Sequence, residues 1–413
     1  MKNLVLLSFF AIIFLTACGD ETTNPISEDK SLKLRFTDDY STEQGWAILY
    51  SEDGNTVIKT VSFTGDSEVD FGDIEAERVT LTIVHTSLSG PRKAYYIDTY
   101  VSVTKGLWSF KGAGSSNIGS VVVNYNFPYN QYDHRIIGVE TGGYGYSGDF
   151  EGSQFQSSEI QVKRLIEPGK ISLYSTVYNL ESGFGYYSWN PNLTFTNGIL
   201  NQYSFNLVKP LTQYNLQINK PINYLSVGGS ISNEEQNVWL FFNRANTGTV
   251  SNKILLPDSL AMLNYKSSFS FLSNDVSYGY YKISNNRPDI ITLPDIYIDA
   301  NYNEANNSFE NITITGTADF IKCSWTNSNT TSDSVTIWNI NTSKNVTSVK
   351  RIELPSEVSS QIPNYDVNTL TANGITVVDY NTTTSFDDFV NVFLKNNEGK
   401  TNLYSDYYYY SKR

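Results

Sequence analysis

VTLTI at residues 79–83 is the stretch that decides the fold, because it places three aliphatic side chains on one face of an extended chain and two threonines on the other. A period of two residues is typical of a β-strand that is buried on one side. The same alternation recurs as ITIT at 312–315 and as VTIW at 335–338. The alternation is therefore not local, and the chain is predicted to be all-β.

Composition agrees with this prediction. The 413 residues include 30 tyrosines, 22 phenylalanines and 6 tryptophans but only 2 methionines. Aromatic and β-branched residues fit a pleated sheet better than a helix. Asp53-Gly54 and Asn373-Gly374 stand beside apolar stretches and predict hairpin turns.

An internal repeat relates the two C-terminal parts of the chain. Three pairs of segments recur in the same order: 223–229 with 311–317, 238–241 with 335–338, and 254–257 with 352–355. The period of about 90 to 100 residues suits a sandwich of seven to nine strands and is too long for a propeller blade or a solenoid coil. We therefore predict tandem antiparallel β-sandwich (Ig-like) modules, the last two of which are related by the repeat.

The N-terminus carries the strongest motif. MKNLVLLSFFAIIFLTAC at residues 1–18 begins with a short basic region, continues with an apolar stretch too short for a membrane span, and ends in Leu-Thr-Ala-Cys. This ending resembles the lipobox of bacterial lipoproteins, and Asp20-Glu21 resembles the acidic export tag of surface lipoproteins in Bacteroidota-type bacteria. The resemblance implies that Cys18 is the lipidation site and the attachment to the outer membrane. Display at the cell surface is the favoured orientation, and a periplasm-facing anchor is the alternative.

Six segments follow from the signal, the repeat and the composition shifts. They are a signal peptide at 1–17, a tether at 18–31, a β-sandwich module at 32–127, a β-rich module at 128–210, and the two repeats at 211–300 and 301–413.

Charge, cysteine and histidine counts exclude several classes of protein. The net charge is −13, with lysine and arginine scattered, so nucleic acid is not an expected partner. If Cys18 carries lipid, Cys323 is the remaining cysteine, which excludes an intrachain disulfide and predicts a buried apolar role. Two histidines argue against a zinc site, and no cofactor is expected.

No catalytic motif is recognisable in the chain. A nucleophile elbow, a zinc-protease motif and a phosphate loop are all absent from the sequence. Two carboxylates brought together by folding would suffice for a glycosidase, so a hydrolase with an unrecognised carboxylate site remains an alternative. The adjacent pairs at 38–39 and 387–388 would point to opposite faces of a strand and are interpreted as surface residues.

Two aromatic and glycine-rich stretches, at 142–149 and 183–190, are the candidate ligand site. Flat rings beside Asn, Asp and Ser are what a carbohydrate-binding surface needs. The stacking candidates are Tyr144, Tyr146, Tyr187 and Trp189. The alternative is that these rings pack in sandwich cores or across strands. The tyrosines at 407–410 are predicted to form a final strand with rings on both faces.

Together these features favour a non-enzymatic, lipid-anchored surface protein for binding or adhesion. Its expected partners are the membrane, through Cys18, and an extracellular glycan or a surface protein. The plan of anchor and sandwich modules resembles that of starch-utilisation-type surface glycan-binding lipoproteins, although no motif of theirs is matched. A structural surface or assembly spacer is the alternative beside the hydrolase.

Overall fold

Alternating strands build four β-sandwich modules in a computed structural model of the chain. The structure describes residues 31–37, 40–41, 43–89, 92–112, 118–125, 132, 134–139, 143–148, 157–162, 165, 168–205, 209–231, 238–244, 251–327, 334–363, 365–366, 369–395 and 406–412.

Each of the first three modules contains seven strands in two sheets. The first consists of β1 (Ser31–Thr37), β2 (Gly45–Tyr50), β3 (Val57–Phe63), β4 (Ser67–Asp73), β5 (Arg78–Ser89), β6 (Arg92–Thr104) and β7 (Gly106–Lys111). The second consists of β8 (Gly119–Tyr125), β9 (His134–Val139), β10 (Gly143–Gly148), β11 (Ser157–Val162), β12 (Lys170–Asn179), β13 (Phe184–Thr194) and β14 (Leu200–Phe205), followed by the short β15 (Lys209–Pro210). The third consists of β16 (Thr212–Ile218), β17 (Tyr224–Ser230), β18 (Val238–Arg244), β19 (Ser251–Leu256), β20 (Asn264–Leu272), β21 (Val276–Ser284) and β22 (Ile290–Ile291).

The fourth module also contains short helices. It consists of β23 (Tyr297–Asn303), β24 (Ser308–Thr315), β25 (Phe320–Asn327), β26 (Ser334–Ser343), β27 (Ser348–Lys350), α1 (Ser356–Ser359), β28 (Thr371–Tyr380), α2 (Phe386–Phe389), a π-helical turn (Val390–Lys395) and β29 (Tyr407–Lys412).

One strand arrangement is repeated in modules one to three. The smaller sheet contains the fourth, first and seventh strands, and the first and seventh run parallel. The larger sheet contains the third, second, fifth and sixth strands, in that order. In the fourth module, β23 takes the edge position of the missing seventh strand and runs antiparallel to β24. The prediction of an all-β chain of tandem sandwiches is confirmed.

Three of the larger sheets join into one sheet of 12 strands. β21 of the third module pairs antiparallel with β29 of the fourth, and β26 of the fourth pairs parallel with β6 of the first. At the second junction, Trp338 Nε1 donates to Thr99 Oγ1 at 3.1 Å on one face of the sheet. On the other face, Asn339 Nδ2 donates to Asp98 Oδ1 at 2.9 Å. Modules that are distant in sequence are therefore neighbours in one sheet.

The observed modules differ from the expected segments at two boundaries. A boundary near residue 127 would put β8 in the first sandwich, but β8 pairs with β11 and β14 of the second. The expected segment 211–300 encloses the third module, but the boundary at 300 divides β23 of the fourth module. Asp53-Gly54 forms the turn between β2 and β3, with φ of 75° at the glycine. Asn373-Gly374 lies within β28 at a shift of register, so the hairpin predicted there is wrong.

The paired segments of the internal repeat do not all lie on corresponding strands of the third and fourth modules. Segments 238–241 and 335–338 lie on the corresponding strands β18 and β26. Segment 223–229 lies on β17, whereas 311–317 begins in β24, which is the centre of the smaller sheet. Because alternation is the same on every strand, a short alternating segment does not distinguish one strand from its neighbour.

The buried residues form three clusters. The largest contains the cores of the third and fourth modules together with one face of the larger sheets of the first and second. The other two fill the interiors of the first and the second sandwich. Among the described residues, none belongs to a helix with the length and apolar character needed to cross a bilayer.

Candidate binding face

The structure leaves part of the predicted ligand site undescribed. Cys18 lies outside the described residues. Tyr144 and Tyr146 lie on β10, where they pair in register with Gly138 and Ile136 of β9. The side chains of this strand are outside the described part of the chain.

The other two predicted stacking residues lie on β13, and Tyr187 contacts the third module. The side chain of Tyr187 is 1% exposed, and its hydroxyl shares a hydrogen bond of 2.7 Å with Ser259 Oγ. Trp189 is half-buried, lies opposite the buried Tyr174 and packs against the largest core cluster. A ring must be exposed to stack on a sugar, so the role predicted for Tyr187 is corrected to interface packing.

Each larger sheet has an inner face, which packs on the smaller sheet of its module, and an outer face. On β17 of the third module, Leu225 and Val227 are fully buried on the inner face, and Ser226 lies between them on the outer face. On β20, Ser268 and Ser270 flank the buried Phe269 in the same way. The strand pairing places Ser226 directly opposite Ser268. Small hydroxyl side chains therefore form the floor of this outer face as far as Tyr224, which lies directly opposite Ser270.

Two aromatic side chains border the serine floor on β18. Val238, Leu240 and Phe241 are fully buried on the inner face, whereas Trp239 and Phe242 are half-buried. A bulge between β17 and β18 accounts for two consecutive inward residues on β18. The outward rings are stacked, with centroids 5.6 Å apart and planes inclined by 2°.

Tyrosines border the floor on the opposite side. Tyr281 on β21 pairs with Ser268 on one side and with Tyr407 of β29 on the other. The rings of Tyr281 and Tyr407 are stacked at 5.6 Å, so the opposite face of the Tyr281 ring is directed toward the serine strand. The ring of Tyr409 lies over Gly279, where a Cβ atom would approach Tyr409 Cε1 to 2.3 Å. Glycine at this position is thus required by the ring above it.

We call this depression the serine trough. Its floor is Ser226, Ser268 and Ser270, and its walls are Trp239 and Phe242 on one side and Tyr281, Tyr407 and Tyr409 on the other. Neighbouring strands lie about 4.8 Å apart, so three strand spacings separate β18 from β21 by about 14 Å. Serine reaches less far from the sheet than the rings do, which makes the trough about one side chain deep.

The second module closes the edge of the sheet beside the trough. Tyr178 Oη donates to the carbonyl oxygen of Phe242 at 2.5 Å and accepts from the Phe242 amide at 3.1 Å. The ring of Tyr178 also stacks on Phe241 at 5.3 Å. An edge strand with unpaired backbone groups can pair with another chain, and Tyr178 binds both backbone groups of Phe242 on β18.

Asp379 and Asp319 are neighbouring carboxylates in the described part of the chain. Burial raises the pKa of Asp379 to about 6, and the nearby Asp319 contributes in the same direction. Asp319 Oδ2 accepts hydrogen bonds from the Tyr380 amide at 2.8 Å and from Thr383 Oγ1 at 2.5 Å, which fixes the end of β28. This is the environment of a structural carboxylate. Asp387 pairs with Arg78 and Asp388 accepts from Thr384, so this predicted surface pair is used for local contacts.

Other reactive groups are also accounted for. Cys323 is fully buried on β25, and burial raises the pKa of its thiol well above its usual range. Within the described ranges, no group of three or more His, Cys, Asp or Glu side chains is placed to hold a metal ion.

Sequence reasoning missed the trough because the signal is weak. NYKSSFSFL at 264–272 alternates small hydroxyl residues with phenylalanine, which predicts a strand with one open polar face. The tyrosines at 407–410 form β29 with rings on both faces, as expected. Neither stretch indicates that β18, β17, β20, β21 and β29 lie side by side.

Comparisons with known proteins add little to this geometry. No protein-family model matches the chain, and no curated protein matches it. Among solved structures, the chain is similar to the "Crystal structure of Dscam1 isoform 7.44, N-terminal four Ig domains". This similarity covers 85% of the present chain and 94% of that chain, at 8% sequence identity and a TM-score of 0.16. A TM-score of this size supports no argument about shared fold or function.

Proposed function

We propose that the chain is a non-enzymatic, lipid-anchored surface protein that binds extracellular glycan in the serine trough. The observation that carries the proposal is the row of small hydroxyl side chains between two aromatic walls on an outer sheet face. Aromatic rings offer an apolar surface to the C–H groups of a sugar, and serine hydroxyls exchange hydrogen bonds with its hydroxyl groups. The backbones of the two strands that carry the walls are about 14 Å apart, and a sugar would lie between the rings that project from them.

The proposal of a lipid anchor rests on the lipobox-like sequence that ends at Cys18. A lipid on this cysteine would attach the sandwich modules to the outer membrane through the tether, with surface display favoured. The variant Cys18→Ser should appear as a soluble folded protein or as an unprocessed precursor. Retention of the mature variant in the outer membrane would contradict the anchor.

Glycan binding is tested with a glycan array on the mature chain carrying Cys18→Ser. Ser268→Phe fills the floor between Ser226 and Tyr281 and should abolish binding of any glycan that the parent chain retains. Because the residue lies on the outer face, the fold should persist, which circular dichroism checks. Ser62→Phe is the matched control, since Ser62 is exposed on β3 at the far edge of the same sheet. Equal binding by both variants would contradict the proposal.

A structural spacer is the second candidate, favoured by the 12-stranded sheet that joins three modules. Shared strands resist bending more than a flexible linker does, which suits a rigid surface or assembly protein. This function predicts that no glycan is retained and that Ser268→Phe leaves all interactions of the protein unchanged.

A further inference from the structure

A buried lysine lies at one end of the serine trough. Lys266 precedes Ser268 by two residues on β20, so both side chains are on the outer face. It pairs in register with Gly228 on one side and Ile283 on the other. Beyond Gly228 lies Trp239 of the aromatic wall. The lysine is only 8% exposed, although it is on the same face as the half-buried serines.

The ammonium group of Lys266 makes no hydrogen bond or ion pair within the described part of the chain. Its pKa is lowered by burial, and no acidic side chain among the described residues opposes that shift. A cation that loses water without gaining an anion costs free energy, so proteins rarely bury a lysine in this state. The lysine is therefore poised to gain an anionic partner.

A second unpartnered polar group lies next to it. Asn264 occupies the same face two residues before Lys266 and is 6% exposed. Its Oδ1 atom is buried and accepts no hydrogen bond from the described residues. Residues two apart on a strand are about 6.6 Å apart, so one ligand can reach both groups. An amide oxygen accepts a hydrogen bond from a hydroxyl or an N–H group.

We propose that the trough takes an acidic saccharide whose carboxylate binds the ammonium of Lys266 and whose neighbouring hydroxyl donates to Asn264 Oδ1. This inference rests on the glycan-binding function proposed above. Trp239 supplies a ring beside the lysine, against which the acidic sugar can pack. The net charge of −13 repels long polyanions, so the ligand carries few acidic residues. A uronic acid attached to a largely neutral oligosaccharide meets these conditions.

Calorimetry on the purified mature protein tests the inference with a matched pair of probes. One is an oligosaccharide bearing a single glucuronic acid, and the other is its methyl ester. The acid should bind at least tenfold more tightly than the ester. Lys266→Met should remove this difference by lowering the affinity for the acid to about that for the ester, since it deletes the charge and keeps the length of the side chain.

Lys253→Met is the control, because Lys253 is exposed on β19 in the smaller sheet of the same module. It should change neither affinity. Lys266→Met should melt at the same temperature as the parent or higher, because it removes an unpaired buried cation. Asn264→Asp is a second variant. It offers the lysine an internal anion, so it should weaken binding of the acid while it stabilises the fold.

The outcomes separate the inference from the proposed function. Equal affinity for acid and ester, unaffected by Lys266→Met, would overturn the inference and leave glycan binding intact. Binding of neither probe, together with a silent Ser268→Phe on a glycan array, would overturn the proposed function itself. Equally tight binding of a sulfated analogue would overturn the preference for a carboxylate.

The connection between β17 and β18 carries Glu234 and Glu235, which provides one more test. The double variant Glu234→Gln/Glu235→Gln should leave the affinity for the acidic probe unchanged. The inference would be overturned if that variant lost stability and the loss disappeared when Lys266→Met was added. Such a result would mean that Lys266 already pairs with a glutamate of this connection.

Discussion

The outer faces of the second and third modules are built on the same strand order and differ in what they carry. The outer face of the second module presents Tyr174, Tyr178 and Tyr187, all buried, and it packs against the third module. The outer face of the third module presents Ser226 and Ser268 between half-buried rings. Both faces contain aromatic residues, so aromatic content does not distinguish an interface from a candidate binding surface.

The difference lies in the residues between the rings. Continuous burial along β12, with isoleucine, leucine, tyrosine and valine on its two faces, removes a large apolar area from water when the modules pack. Serines on β17 and β20 offer little apolar area, and burying their hydroxyl groups without partners would cost free energy. A face with small polar residues between rings therefore gains less from packing against another module than the outer face of the second module does.

The largest expected effect tests the packed face. Tyr187→Ala should reduce the free energy of unfolding by about 3 to 5 kcal/mol, because it empties a fully buried ring site. Tyr281→Ala, on the open face, should cost clearly less, since that ring is half-buried. Urea denaturation of both variants measures the two losses. Equal losses would remove the distinction between the two faces.

A smaller effect concerns the contact that joins the two modules. Tyr178→Phe keeps the ring but deletes the hydroxyl that bonds to both backbone groups of Phe242. The expected loss is about 1 to 3 kcal/mol, since buried backbone groups are left without a partner. Tyr203→Phe is the control, because that hydroxyl bonds to Thr194 at an exposed site and water can replace it. The midpoints of thermal unfolding compare the two variants.

A third substitution pair separates binding from folding. Trp239→Ala should weaken glycan binding about tenfold to a hundredfold, as expected for loss of one stacking ring. Trp189→Ala should lower the melting temperature and leave the affinity unchanged, because Trp189 packs against the core cluster of the interface. The opposite pattern would return the binding site to the second module.

The smallest expected effect is on the pH dependence of the free energy of unfolding, and it concerns one carboxyl group on an inner face. The pKa of Asp379 is raised to about 6 by burial and then by repulsion from Asp319. The folded chain therefore binds this proton more tightly than the unfolded chain, whose carboxyl has a pKa of about 3.9. The contribution of this group to stability is most favourable below pH 4 and is lost as the pH rises through 6. Asp379→Asn should remove this decline, which urea denaturation from pH 4 to pH 7 measures. An unchanged pH profile would contradict the assignment.

Much of the fold follows from local patterns. VTLTI at 79–83 lies within β5 as predicted, but its threonine face is as fully buried as its aliphatic face, because the first module packs on both sides of this strand. Asp53-Gly54 forms a turn because the glycine adopts a positive φ between two strands. Asn373-Gly374 carries the same local signal, yet pairing with β25 continues across it as a bulge. Tertiary pairing thus overrides a turn signal where neighbouring strands provide partners on both sides.

The candidate site was only partly predictable. The sequence correctly places Tyr187 and Trp189 on one face of one strand, and it leaves core packing open as the alternative to ligand binding. Only the contact with Ser259, which is 72 positions away, decides between these alternatives for Tyr187. The serine trough needs five adjacent strands, and its tyrosines at 407–410 come from the fourth module.

The sequence by itself determined the strands and the alternation of their faces, because a side-chain period of two is fixed by the geometry of the extended backbone. Tertiary structure alone decided which modules share a sheet. Every strand edge carries the same backbone donors and acceptors, so no short sequence specifies that β21 pairs with β29 or β6 with β26. Tertiary structure also decides which outer faces are buried, because a face is covered only when another module packs a complementary surface against it.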